Sequence, residues 1–376
     1  MKNLRHRHIP ALIFWLIVII MTLITMPDVS GIVRDKGALS LPKNEESQIA
    51  ANIEKKANNN QKVRSYALVF NNGDKKLTAS QKQAIHQTLK NLKSTGAVKI
   101  INVTQASDNA ETKKQLDAKD GTTQMALVDV KAQGQVGPQT RNLEKQIKTS
   151  NVKTYVTGSD VLNDDFATVT EKGIQKTEII AAIFIFIVLI IVFRSPIVPL
   201  VSLLTVAISF MTSLNIIMNL ADKFNFPISN FTQVFLVVVL FGIGTDYNIL
   251  LYDDFKAALS QGIPRTKAAG VARRFGGRTI LYSGLSVLIG FSVLGLANFK
   301  FYRSAVGVAI GVLILLTVLL TLNMFFMATL GEKLFWPSKN LNGHSTSRLW
   351  HGLSKMGIAR PLITLGIIGI IAVPFL

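Results

Sequence analysis

The chain reads as an α-helical membrane protein of six spans plus the start of a seventh, with a ferredoxin-like α+β domain between the first two spans. Three observations predict this. Apolar residues make up 49% of the 376, the mean hydropathy is +0.35, and the apolar residues gather into runs of about 17–25, the length that crosses a hydrocarbon core. The stretch between the first two runs is polar and rich in Lys, Asn and Gln, and is too long for a simple loop. Within that stretch the apolar spacing alternates between the period of strands and the period of helices.

The first run, Ile9–Met26, follows the basic residues Lys2, Arg5 and Arg7. It reads as an uncleaved anchor, because the run is long and no small-x-small cleavage site follows it. Segment 1–26 is therefore the first transmembrane helix, and 27–176 the external domain.

Inside that domain a helix is expected at Asn44–Ala57. Ser65–Phe70 reads as a strand, Thr78–Ser94 as a helix, Ala97–Thr104 and Thr123–Val130 as strands, Pro138–Thr149 as a helix and Val152–Thr157 as a strand. The order β-α-β-β-α-β is that of the split ferredoxin-like arrangement. Asn71-Asn72-Gly73-Asp74 and Gly134-Gln135-Val136-Gly137-Pro138 supply turn chemistry. The Ser107–Asp120 connection reads as a charged, mobile loop. His86 stands alone in the domain and reads as a solvated or packing residue, with no catalytic constellation or metal-spaced cluster around it. A helix over Leu162–Glu178 is expected to run unbroken into the second span and to act as a lever between the domain and the membrane.

Five more runs follow: Ile179–Phe193, Ile197–Leu220, Phe231–Tyr252, Thr279–Ala297 and Ala305–Leu330. They define a bundle at 177–330, then a basic linker at 331–360 and the start of a seventh span at 361–376. Lys and Arg concentrate in the Asp253–Arg278 loop and in Gly331–Arg360, while the short opposite loops carry only Lys223, Lys300 and Arg303. That bias predicts a cytoplasmic N-terminus and an extracellular domain. It also accounts for much of the net charge of +19, which reads as affinity for anionic membrane lipids and not for nucleic acid. Zero cysteines exclude disulfides and thiolate metal sites.

Asp246 is the only acidic residue inside any long apolar run. An ionisable group at membrane depth costs about 2.5–3.5 kcal/mol and usually marks an ion or substrate pathway. It lies in Gly242-Ile243-Gly244-Thr245-Asp246-Tyr247, where small residues let a second helix approach closely. Close approach would dehydrate the carboxyl, and the Tyr247 hydroxyl could bond a facing carboxylate. The alternative reading is a structural Asp that only pins two helices. Asp253 and Asp254, further along, are candidates for a cytoplasmic proton mouth or for plain solvation. No cofactor or metal is expected, and no enzyme: protons are the coupling ion.

The segment Gly242–Tyr247 resembles the fourth-helix motif of the MMPL family (mycobacterial membrane protein large) of the resistance–nodulation–division superfamily. Arg194-Ser195-Pro196, Arg278–Phe291 and Gly331–Pro337 are also similar, as is the layout of nearly the whole chain. The resemblance implies a proton-driven exporter of lipids, hydrophobic compounds or drugs in the bacterial cell membrane, with the external region as a porter domain. It further implies that Asp246 and Tyr247 are the first-half members of a proton relay whose matching Asp-Tyr pair lies on a tenth helix.

The chain departs from the family in carrying Asp253-Asp254 where many members have a basic stretch, and in length. Pro361-Leu362-Ile363 repeats the start of the first span at Pro10-Ala11-Leu12-Ile13, so the chain looks like an N-terminal half ending inside a second repeat. A second transmembrane half is then expected from the same gene product, another chain or a second copy. Two other classes stay open: a non-transporting sensor or scaffold, and an accessory subunit of protein secretion.

Overall fold

The computed structural model describes residues 9–37, 45–57, 63–96 and 98–337, with 361, 364 and 366. Most of the proposed seventh span and most of the basic linker therefore lie outside the described residues. The first helices are α1 (Ile9–Thr25), α2 (Val29–Lys36) and α3 (Glu46–Ala57). The α+β domain follows as β1 (Val63–Asn71), α4 (Ala79–Lys90), β2 (Ile100–Gln105), α5 (Ala110–Leu116), β3 (Thr123–Lys131), α6 (Val136–Gln146) and β4 (Lys153–Thr157). The membrane bundle is α7 (Ser159–Phe193), α8 (Ile197–Phe224), α9 (Thr232–Ser260), α10 (Arg265–Val293), the short α11 (Lys300–Ser304) and α12 (Val306–Leu330).

Five of these helices are long and apolar enough to cross a membrane, or six if α1 and α2, bent by 63° against each other, count as one span. α1 alone has 17 residues, at the lower edge of a spanning length. The chain is a multi-pass membrane protein. α8 and α12 are its central helices, and α7 and α10 are peripheral. On α7 the exposed residues Ile180, Phe184, Ile187 and Ile191 form an apolar outer face, as a surface meeting lipid tails requires. α1 is held by polar stitches: the Trp15 indole donates to Thr321 Oγ1 at 2.9 Å, and Asn215 and Asn219 donate to the carbonyls of Thr22 and Thr25, both at 3.0 Å. Such interhelical bonds are each worth about 0.6 kcal/mol on average in a membrane, so they set register more than they supply stability.

The sheet of this domain is antiparallel throughout, in the order β2-β3-β1-β4. Its alternation buries Tyr66, Leu68 and Phe70 of β1 against Ala126, Val128 and Val130 of β3, together with Ile85 and Leu89 of α4 and Leu143 of α6. Within this core the Tyr66 hydroxyl and Arg64 Nη1 both donate to Gln139 Oε1 at 2.9 Å, and burial pushes the Tyr66 phenol above its ordinary range.

Two expectations change. The Ser107–Asp120 connection is not simply a loop: it contains α5, capped by a reciprocal pair in which Asn109 accepts from the Thr112 N–H at 2.8 Å and Thr112 Oγ1 accepts from the Asn109 N–H at 3.1 Å. The Asp253–Arg278 segment is also mostly helical, because α9 runs on to Ser260 and α10 starts at Arg265. The turn between them is short, with Gly262 at φ +74°, so the charged residues sit on helical extensions of the spans.

The expected unbroken helix is present as α7, of 35 residues, about 50 Å at 1.5 Å per residue. Gly158 joins it to β4 at φ +151°, where an added Cβ would lie 2.8 Å from the Ser65 carbonyl oxygen. Glycine alone fits that turn without strain. α2 is clasped to α7 by ion pairs from Arg34 to Asp164 (3.5 Å) and Glu171 (3.7 Å), and Ser30 donates to Glu171 at 2.7 Å. At the domain end of the same helix, Arg64 pairs with Asp160 at 3.5 Å.

Candidate functional site

α9 carries the candidate residues, and its two faces differ sharply. Leu236, Leu240, Gly244, Asn248, Leu251, Tyr252 and Phe255 are buried in the bundle. Val238, Gly242, Asp246 and Asp253 fall on the exposed side. Residues two apart on an α-helix point about 200° from one another. With Gly244 and Asn248 held in the core, Asp246 between them has to face outward.

The inward face is fixed by close packing and by a hydrogen-bonded chain. A Cβ on Gly244 would come within 2.8 Å of Val206 Cγ2 and 3.2 Å of Leu315 Cδ1, so this glycine provides the expected close approach. The Tyr252 hydroxyl donates to Asn323 Oδ1. Asn323 donates onward to Asn248 Oδ1 at 2.6 Å, Asn248 to Thr205 Oγ1 at 3.4 Å, and Thr205 to the Ser202 carbonyl at 2.8 Å. All five residues are buried. The chain links α8, α9 and α12 through neutral groups in the middle of the bundle. Sequence reasoning missed it. The available signal was the presence of Asn248 and Asn323 inside apolar runs, but nothing in their spacing reveals that they meet.

The outward face differs from the expectation in two respects. Asp246 is exposed, and among the described residues it makes no hydrogen bond or ion pair. Gly242 is exposed too, with nothing within 4 Å of the position its Cβ would occupy. The tight packing expected around Gly242 is thus not made by the described helices. Thr245 turns its hydroxyl back onto its own helix, donating to the Phe241 carbonyl at 2.6 Å.

Tyr247 is half-buried, and its hydroxyl accepts from Ser283 Oγ of α10 at 2.9 Å. Ser283 also lies 2.9 Å from the Thr279 carbonyl oxygen. It owns one proton, so the two contacts share or alternate it. Ser283 is therefore a further residue of this region that the sequence did not single out. Asp246 lies next in the chain to Tyr247, so the exposed acid and the Tyr247–Ser283 contact belong to one stretch of α9. Further along α9, Asp253 is exposed, whereas Asp254 turns toward α10, where a Cβ on Gly276 would meet its Oδ2 at 2.7 Å. The structure does not bring these two acids together with Asp246: Asp253 and Asp254 lie two turns on, about 10–12 Å along the helix axis. No group of three or more His, Cys, Asp or Glu side chains among the described residues is arranged to hold a metal ion.

Comparison with known proteins accords with this layout. The chain is 39% identical over 350 residues to YdgH of Bacillus subtilis, covering 93% of this chain and 39% of that protein. It is 30% identical over 199 residues to MmpL2 of Mycobacterium tuberculosis, named a probable transport protein, covering 51% of this chain and 20% of the relative. It is 26% identical over 195 residues to the apo-petrobactin exporter of Bacillus anthracis, covering 52% and 26%. The chain thus spans well under half the length of these relatives. Names of transporters among them point away from an enzyme. The sequence profile of the MMPL family matches residues 39–364; the chain belongs to the MMPL family.

Proposed function

We propose that this chain is the first half of a proton-driven membrane exporter in which Asp246 is the coupling carboxylate and Tyr247 its partner in the relay. The observation that carries this reading is an unpaired carboxylate on the exposed side of a membrane helix, beside a Tyr247–Ser283 contact. A carboxylate left facing lipid would cost about 2.5–3.5 kcal/mol. The Val238–Gly242–Asp246 face is therefore the surface on which a second transmembrane half packs, and Gly242 supplies the close approach there. That half comes from the same gene product, another chain or a second copy.

In this reading α1 is the first of six spans and α2 lies beyond it in the porter region, with the N-terminus cytoplasmic. The antiparallel order β2-β3-β1-β4 with helices between strands supports a ferredoxin-like porter domain on the extracellular side. α5 is an addition to that pattern. The domain limits at 27–176 and 177–330 then separate porter from bundle, with α7 crossing the boundary. Transport names among the relatives, including an exporter, favour outward movement of lipids, hydrophobic compounds or drugs.

Protonation of Asp246 from outside removes its charge and lets the facing helices repack. α7 carries that motion to the porter domain, and proton release inward, past Asp253 and Asp254, resets the site. A ligand or proton moves such an equilibrium only through its differential affinity for the two states. At 100 mV a charge is worth about 2.3 kcal/mol and one pH unit about 1.36 kcal/mol. Their sum, about 3.7 kcal/mol, sustains about a 500-fold gradient of a neutral substrate at one-to-one coupling.

The test is Asp246→Asn in the full-length protein, read by export driven by an imposed pH gradient, with insertion and thermal stability measured alongside. Export is expected to vanish while the bundle's stability holds, since Asp246 makes no hydrogen bond or ion pair among the described residues. Tyr247→Phe is expected to slow export without abolishing it. Unchanged export in Asp246→Asn would reject the relay and favour a scaffold or sensor.

A further inference from the structure

We propose that the external domain carries a second binding site, for a small anionic molecule, in the cleft between α4 and α5. The cleft has a volume of about 220 Å³, smaller than a drug-sized pocket of about 300–1,000 Å³ and suited to a metabolite or a headgroup, not a whole lipid. Ile85, Leu89 and Ala106 give it an apolar lining, into which Lys82, His86, Gln105, Lys113 and Asp117 bring polar groups.

Lys82 and His86, one turn apart on α4, share a face and both line the cleft, as do Lys113 of α5 and Asp117, the residue that ends α5. Lys82 Nζ lies 3.9 Å from Asp117 Oδ2, so those two charges largely offset each other. Asp117 Oδ1 is buried and has no hydrogen-bond partner among the described residues; a carboxylate oxygen in that state needs a donor. Lys113 makes no ion pair or side-chain hydrogen bond among the described residues and remains available for an anion. His86 Nδ1 is 3.1 Å from Gln105 Oε1 and 3.3 Å from Ser107 Oγ. Gln105 Oε1 can only accept, which puts the neutral ring's proton on Nδ1 and leaves Nε2 bare.

The complementary ligand therefore has a carboxylate or phosphate for Lys113, and hydroxyl or amine donors of its own for Asp117 Oδ1 and the bare His86 Nε2. The charged groups facing His86 in the cleft are Lys82, Lys113 and Asp117; β2 and β3 contribute the neutral Gln105 and Gln124. The site is independent of the proton relay, and Asp246→Asn serves as a control that leaves it unchanged.

The test is calorimetric titration of the whole protein in phosphatidylcholine nanodiscs with two probes, glycerol phosphate and lactate, at neutral pH. Saturable binding of at least one probe is expected. Lys113→Met should weaken it about tenfold, the effect of one hydrogen bond to a charged group, and His86→Leu about fivefold, the effect of a neutral one. Repeating the titration in phosphatidylglycerol nanodiscs identifies the source: loss of probe binding there means a lipid headgroup occupies the cleft, and unchanged binding means a soluble molecule does. No saturable binding of either probe in phosphatidylcholine, or binding that survives both substitutions together, overturns the proposal.

Discussion

At the scale of single residues, the two glycines of the Gly242-x-Gly244 pair do different work although they stand two positions apart. Gly244 is wedged against Val206 and Leu315, whereas Gly242 has open space where a side chain would go. Gly244→Val is therefore expected to destabilise the described bundle by about 1–3 kcal/mol, the usual cost of overpacking. Gly242→Ala is expected to leave its thermal stability unchanged. Unfolding of the purified chain in detergent checks both. A loss of export in Gly242→Ala without a loss of stability would mark that residue as part of the surface facing the second half. The sequence showed that small residues precede an acid, but it could not show which of them faces the core.

At the scale of elements, α7 joins two separate apolar cores, one in the external domain and one in the bundle. Its junction segment is tied to α2 by the Arg34 ion pairs. Half-exposed pairs of this kind are worth about 0–1 kcal/mol each, so the continuous helix, not the pairs, carries the connection. Thr177→Pro tests this. Proline inside a helix removes a backbone bond and costs about 3 kcal/mol locally. Each core should stay folded, export should fall severely, and limited proteolysis should find a new cleavage site near residue 177. Unimpaired export would mean that the domain and the bundle need no rigid connection. Continuity of α7 was legible in the sequence, because helical spacing persists from the polar segment into the apolar run. α5 was not: its seven residues, Ala110–Leu116, bury little apolar surface, and it depends on the Asn109–Thr112 cap.

At the scale of the whole molecule, the exposed Val238–Gly242–Asp246 stripe leaves the described bundle with one face that a bilayer alone does not suit. The absence of cysteine makes this testable without background. Gly242→Cys is expected to react with a membrane-permeant maleimide in the 376-residue chain expressed alone, and to be protected several-fold when a second half is present. Equal labelling in both would remove this face as the contact surface. Val192→Cys, on the exposed side of α7, is the reference, and its labelling should be the same in both.

The amino-acid sequence by itself determined that this chain enters a membrane several times, that a mixed α+β domain interrupts the spans, and that one acid lies inside a long apolar run. These follow from run length, period and charge, which are local properties. Only the tertiary structure decided which way that acid points. α9 is apolar on nearly all sides, so its composition leaves its rotation undetermined. The rotation is set by Gly244 packing on Val206 and by the Asn248–Asn323 hydrogen bond to α12, whose partners lie 38 and 75 residues away in the chain. Held by those two contacts on one face, the helix turns Asp246 outward on the other.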